Sequence, residues 1–316
     1  MKNPEAFELP EHLVSKFEEA KKLEWITLAY LISTIILMYL VMGSSQAMKT
    51  AWLEDAMGLL PAISFLIASR FAYKKPNSEF PYGYHRAFSI AYLAGAVALF
   101  AMGCFLLIDS AISLIKAEHP TIGTIVLFGK QFWLGWVMIL ALVWASLPSV
   151  FIGYKKLPLA KKLHNKILYT DANTQKADYT TAFAAMLGIT GLAFGLWWAD
   201  SAAALFISFS VLKDGYTNLK TAVLDLMDRH PVHVDTQNND DLVEGIRGVV
   251  TEWDWVLEAD VRFREQGQVY FGEVFIVPIN DVDITFEVEK GLKILEDYHW
   301  KIYQVTIMPV KSLSEK

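Results

Sequence analysis

Four acidic residues sit where an apolar chain should least tolerate them. Glu54 and Asp55 lie inside the second of six apolar runs, and Asp171 and Asp178 inside the fifth. A carboxylate within a membrane span is costly, so each is a candidate functional residue. Asp171, Thr174 and Asp178 fall at i, i+3 and i+7, which puts three oxygen-bearing side chains on one helical face. Glu54 precedes Arg70 by sixteen residues, roughly 24 Å of helix, and Asp178 follows Lys162 by the same interval. The two carboxylates can therefore lie at similar depth. Facing oxygens from two helices suit a divalent cation, and the same carboxylates can hold protons. Structural roles compete with this reading. Glu54 and Asp55 can cap a helix start, Asp171 can mark a helix N-terminus or snorkel, and Asp178 can pair with Lys176. Asp109 reads as interfacial, and Asp200 as the cap of the sixth helix. His230 and His233 have the spacing of a ligand pair but equally suit a solvated linker.

The elements that must position these residues are membrane helices. The apolar runs are Trp25–Ser45, Lys49–Ala72, Ala87–Ile115, Phe132–Ile152, Leu168–Trp197 and Ser201–Val223. Runs of about 20 apolar residues are long enough to cross a hydrocarbon core as helix. Basic residues crowd the N-terminal segment (Lys2, Lys16, Lys21, Lys22), the second loop (Arg70, Lys74, Lys75, Arg86) and the fourth (Lys155, Lys156, Lys161, Lys162, Lys166). Lys49 and Lys130 stand in the alternate loops. That asymmetry predicts a multi-pass protein of the cell membrane with both termini cytoplasmic. The N-terminus has Glu5, Glu8, Glu11, Glu18 and Glu19 and no short apolar stretch before a small-residue cleavage site, so a cleaved signal peptide is not expected. Cys104 stands alone, which rules out an internal disulfide. The domains expected are a cytoplasmic segment at 1–24, a six-helix membrane domain at 25–229 and a soluble domain at 230–316.

The soluble part begins after Asp228-Arg229-His230-Pro231. Asn238–Glu252 reads as an amphipathic helix, Val256–Phe263 and Gln268–Val277 as strands paired around Gly267, Ile284–His299 as a second helix and Ile302–Met308 as a third strand. The α-β-β-α-β order predicts a small α+β, ferredoxin-like sandwich with helices on one sheet face. The net charge of −6 comes mostly from residues after Asp225, and no basic footprint for nucleic acid is present. No nucleophile–base pair, phosphate loop or HExxH motif points to an enzyme.

Several landmarks resemble the cation diffusion facilitator family of metal-ion/proton antiporters. Pro81-Tyr82-Gly83-Tyr84-His85-Arg86-Ala87 is similar to its PYGxxRxE signature, Trp198-Ala199-Asp200 to the W-A-D opening of its sixth helix, and Asp225-Leu226-Met227-Asp228 to its "LLD" element. With the terminal α-β-β-α-β segment, the likeness covers about residues 25–310. It implies a homodimeric exporter of divalent cations driven by inward proton flow, with no permanent cofactor. The family's ligand pairs fall on Glu54 and Gly58 in the second helix and on Thr174 and Asp178 in the fifth. Asp55 is adjacent, and Asp171 matches a family Asp one turn earlier. Pro61 would kink the second helix and free a backbone carbonyl. Phe80 and Tyr84 stand where loop histidines occur, and Glu287 and Met308 where the soluble domain's histidines occur, so its metal-sensing site is expected to be absent. The resemblance also places Arg86 and Asp228 in a charge interlock near the dimer centre. All-oxygen ligands suit Mg²⁺, Mn²⁺ or Fe²⁺ more than Zn²⁺, leaving the ion undecided among the four. The alternative is a membrane scaffold or sensor that keeps the fold without transport.

Overall fold

The structure, a computed structural model, describes residues 7–127, 129–279 and 283–313; Lys2 and Glu5 lie outside them. The membrane part contains α1 (Glu11–Val41), α2 (Gln46–Met57), α3 (Leu59–Phe71), α4 (Arg86–Ile115), α5 (Leu134–Lys162), α6 (Lys166–Ala193) and α7 (Trp197–Leu226). Four helical stretches, Glu11–Val41, Gln46–Phe71, Arg86–Ile115 and Leu134–Lys162, are long and apolar enough to cross a membrane. At 28 and 30 residues, α6 and α7 are just as long but more polar. They too turn large apolar side chains outward, among them Phe183, Leu187, Phe206 and Phe209.

Helix ends depart from the sequence reading in three places. The second run is broken at Gly58, between α2 and α3. Proline has no N–H to offer the carbonyl four residues back, so Pro61 leaves the Met57 carbonyl without its helical donor. The supposed fourth loop is mostly helix: α5 runs to Lys162 and α6 starts at Lys166, capped by the Asn165 side chain on the Leu168 N–H. Lys155 and Lys156 are thus helical residues, and Lys162 ends α5. Between α4 and α5, where the sequence predicts a loop, the chain forms a hairpin, β1 (Thr124–Leu127) against β2 (Lys130–Trp133).

Two apolar clusters hold the bundle. Phe17, Phe65, Phe88, Leu159 and Leu168 pack at one end, and Met38, Met48, Met138, Leu142, Ile189 and Ile207 at the other. Small residues let helices approach closely, as expected where lipid offers no hydrophobic drive between them. A Cβ on Gly215 of α7 would lie 2.7 Å from the backbone of Phe100 in α4. Glu54, Asp55, Asp171, Thr174 and Asp178 fall along the chain between residues of the two clusters.

The terminal domain has α8 (Asp241–Thr251), β3 (Val256–Gln266), β4 (Val269–Pro278), α9 (Ile284–Tyr298) and β5 (Ile302–Pro309). The sheet order is β3-β4-β5, the first pair antiparallel and the second parallel. Val243, Ile246, Val250 and Leu295 of the helices pack on Phe263, Val274, Ile276 and Ile307 of the strands. Gly267 turns between β3 and β4 at φ 71°, and a Cβ there would lie 2.3 Å from the His85 carbonyl. The turn thus sits against the start of α4, a contact only glycine permits.

A buried polar network joins the two parts. Lys166 donates to Asp225 at 2.8 Å and to Glu265 at 2.9 Å, and Gln268 donates to the Leu163 carbonyl at 2.6 Å. The Tyr270 hydroxyl donates to Asp240 at 2.6 Å and lies 3.1 Å from His164 Nε2, while Lys301 donates to Asp240 at 2.6 Å.

Candidate functional site

One cavity in the bundle is lined by all five residues singled out as metal ligands: Glu54, Asp55, Asp171, Thr174 and Asp178. Glu54 and Asp55 occupy the last turn of α2, where the Gly58 N–H still donates to the Glu54 carbonyl at 3.0 Å. Because the helix breaks there, Met57, Gly58 and Pro61 also face the cavity. Asp171, Thr174 and Asp178 share one face of α6 with Thr170 and Gln175, as their 3.6-residue spacing requires. Ser149 of α5 donates to Asp178. From α7 comes a carboxylate that sequence reasoning missed, Asp214. Its neighbour Lys213 gives that stretch the look of a solvated helix end.

Among the described residues no three His, Cys, Asp or Glu side chains are close enough together to hold a metal ion. The candidate ligands share a cavity in this conformation without forming a coordination sphere. Glu54, Asp55, Asp178 and Asp214 have no ion-pair partner among the described residues.

Asp171 is engaged differently. Lys156, fully buried in α5, donates to Asp171 and, at 2.9 Å, to Glu24 of α1. Gln175 Nε2 adds contacts of 3.3 Å to both Asp171 oxygens. Both Glu24 and Lys156 escaped the sequence reading. Lys156 stands among five lysines that look like a loop, and Glu24 closes an amphipathic stretch; the available signal was Lys156 recurring one helical period from the apolar face of α5.

The Asp200 cap and the Asp178–Lys176 pair need correction. Asp200 lies in the first turn of α7 but caps a different helix: it accepts from Ser45 Oγ and the Gln46 N–H, each at 2.6 Å, at the start of α2. The N-terminal dipole of α2 favours that charge. Asp178 is not paired with Lys176, whose ammonium lies 5.2 Å from the Tyr154 ring centre. Asp109 accepts from Lys49 at 2.8 Å and from Gln46 at 2.6 Å. His230 Nδ1 lies 2.9 Å from the Pro231 carbonyl and His233 3.9 Å from Asp241, and among the described residues neither belongs to a group of three that could hold a metal ion. In the loop before α4, the Phe80 and Tyr84 rings pack at 4.6 Å. Glu287 lies 4.0 Å from Lys290, one turn along α9, and Met308 is in β5.

Arg86 pairs with Asp228 at 2.9 Å, and Arg264 reaches the other carboxylate oxygen at 3.3 Å. The pair is 39% and 37% exposed. Water screens it within one chain, so it is worth under about 1 kcal/mol there.

Comparison with known proteins agrees with this architecture. Residues 25–227 match the family described as the cation efflux transmembrane domain. The manganese efflux system protein MneS of Bacillus subtilis (strain 168) is 26% identical over 277 residues, covering 86% of this chain and 89% of that protein. MneP of the same organism is 22% identical over 287 residues, covering 85% and 90%. Protein p34 of Rickettsia prowazekii (strain Madrid E) is 23% identical over 227 residues, covering 71% and 70%. A helical membrane part with an acidic cavity, followed by an α+β domain and matched over most of its membrane part, makes this chain a divergent member of the cation efflux family of metal-cation transporters.

Proposed function

We propose that the protein exports a divalent cation, Mn²⁺ before others, from the cytoplasm in exchange for protons, with Glu54, Asp55 and Asp178 as the exchanging carboxylates. The observation that carries this reading is the uncompensated charge of the cavity. Lys156 is committed to Glu24 and Asp171. The remaining carboxylates, between two apolar layers, can be balanced only by a bound cation or by protons. Each metal ion bound displaces protons from the same oxygens, and that competition couples the two fluxes. Oxygen donors without imidazole or thiolate favour Mn²⁺, Mg²⁺ or Fe²⁺ over Zn²⁺. The names of the two Bacillus relatives single out manganese.

In this reading α1, the α2–α3 pair, α4, α5, α6 and α7 cross the membrane six times, with both termini cytoplasmic. The outward apolar side chains of α6 and α7 support those two crossings, and Lys74, Lys75, Lys161 and Lys162 at one end of the bundle support the orientation. The protein acts as a homodimer, and Arg86 and Asp228 gain strength only if a partner subunit covers them.

The test is Mn²⁺-driven proton movement in proteoliposomes loaded with a pH-sensitive dye. Asp178→Asn removes a ligand and a proton site together, so coupled flux should fall by about a hundredfold or more, as when a metal site's support is lost, while the protein still elutes as a folded species. Wild-type flux in Asp178→Asn would refute the site. Wild-type protein that moves neither ion would leave the scaffold reading.

A further inference from the structure

The cavity has a side branch that the five candidate ligands do not explain. A groove between α6 and α7 is lined by Thr170, Asn173, Thr174, Asp214, Thr217 and Asn218, and it shares Tyr92, Thr170, Thr174, Asp214 and Asn218 with the central cavity. Its outer end reaches Asp235, in the segment after α7. Every polar group named is a carboxylate, amide or hydroxyl, the donors that can replace water around a hard cation.

Lys166, which lines the groove, and Lys161 at its outer end are already engaged. Lys166 holds Asp225 and Glu265, and Lys161 holds Asp235 at 2.8 Å. Asp214 has neither an ion-pair nor a hydrogen-bond partner among the described residues, although the charge of its sequence neighbour Lys213 reaches it. Asn218, one turn further along α7, is fixed by the Tyr92 hydroxyl at 3.2 Å and Thr170 Oγ1 at 3.4 Å, both donating to its Oδ1. In the central cavity that the groove joins, Gln175, 4% exposed, has a side-chain Oε1 that accepts no hydrogen bond. An unpaired carboxylate and an unpartnered buried oxygen on one continuous polar path are placed to attract a cation.

We propose that the α6–α7 groove is the cation's way in from the cytoplasmic side, and that Asp214 receives the ion there before Glu54, Asp55 and Asp178 bind it. This rests on the transport function proposed above. A charged cleft of this kind raises the local cation concentration and the rate of capture, and salt weakens the effect.

The experiment uses the full chain in proteoliposomes with Mn²⁺ as the probe, measuring initial rate against Mn²⁺ concentration. Asp214→Asn should raise the half-saturating concentration by about tenfold, the lower end of such electrostatic capture, and leave the maximal rate within about twofold. Asp214→Glu should recover most of the affinity. Raising ionic strength should weaken half-saturation in the wild type and change it much less in Asp214→Asn. Asn173→Lys puts a positive charge at the exposed groove wall and should raise half-saturation in the same direction, a check independent of whether Asp214→Asn folds. Unchanged half-saturation in both variants overturns the proposal. A lost maximal rate at unchanged half-saturation in Asp214→Asn also overturns it, since Asp214 would then serve the central site or the fold. An inactive wild type removes the transport reading and this proposal with it, whereas failure of the variants alone leaves that reading standing.

Discussion

Lys156 has no contact with water, and neither has Glu24; their pairing with Asp171 places three ionisable groups inside the bundle. Such a group adds little net stability over an apolar replacement, yet losing one member strands the others and costs about 3–5 kcal/mol. Lys156→Met should therefore lower the thermal midpoint of the detergent-solubilised protein sharply. The triple change Lys156→Met, Glu24→Gln, Asp171→Asn should recover most of that loss, a pattern readable by scanning fluorimetry. If the single change is silent, the three residues do not form this buried group in solution. The residues that sequence placed in the cavity were legible because each is an acid, or an oxygen in helical register with one, inside an apolar run. Those it missed wear local disguises. Lys156 sits in a lysine-rich stretch, and Asp214 follows Lys213 on a helix more polar than its neighbours.

Among the elements, the interrupted α2–α3 pair has the clearest chemical consequence. At Gly58 a Cβ would lie 3.1 Å from the Asp55 carbonyl and 3.4 Å from Leu31 Cδ1, so a side chain fits if its neighbours yield a few tenths of an ångström. Gly58→Asp with Thr174→His would add a carboxylate and an imidazole to the cavity. The double variant should shift preference from Mn²⁺ toward Zn²⁺ by at least about tenfold, measured by competition titration, because nitrogen and a fourth ligand favour tetrahedral Zn²⁺. Unaltered preference would mean that these positions do not face the bound ion. The terminal domain was legible to within three residues at each element end, since its helices are amphipathic and Gly267 marks the turn. The hairpin β1–β2 was not, because strands of four residues carry too little periodicity to separate from loop. The long α5 was hidden for a different reason: sequence shows where apolarity stops at Ile152, while the helix continues on tertiary contacts to Lys162.

Across the whole molecule, the soluble domain is fastened to the bundle by groups whose protonation matters. Burial works to raise the Asp240 carboxyl, but hydrogen bonds from Lys301 and Tyr270 outweigh it and hold the group well below its ordinary value near 3.8. Burial likewise opposes the charge of Glu265, while His164 and Lys166 bring it below its usual 4.5. Burial lowers the His164 imidazole from its ordinary 6.5. The Asp240 shift comes from partners within the terminal domain, whereas those of Glu265 and His164 arise across the junction and have the same sign: the docked form binds fewer protons than the undocked one, so docking weakens as pH falls. The loss should begin as pH drops through about 6.5, where a released His164 takes up its proton, and steepen below about 4.5 as Glu265 follows. Hydrogen exchange of β4 and of the α5–α6 turn should report it, and His164→Gln should remove the upper part of the transition. An equal response in that variant would assign the upper step elsewhere. The Glu24–Lys156 pair also imposes an order on the protein's own synthesis. Lys156 emerges from the ribosome 132 residues after Glu24, an interval on the order of ten seconds at ordinary translation speed. Until α5 arrives, the first helix must keep Glu24 at the aqueous boundary, so it can settle to its final depth only after most of the bundle has been made.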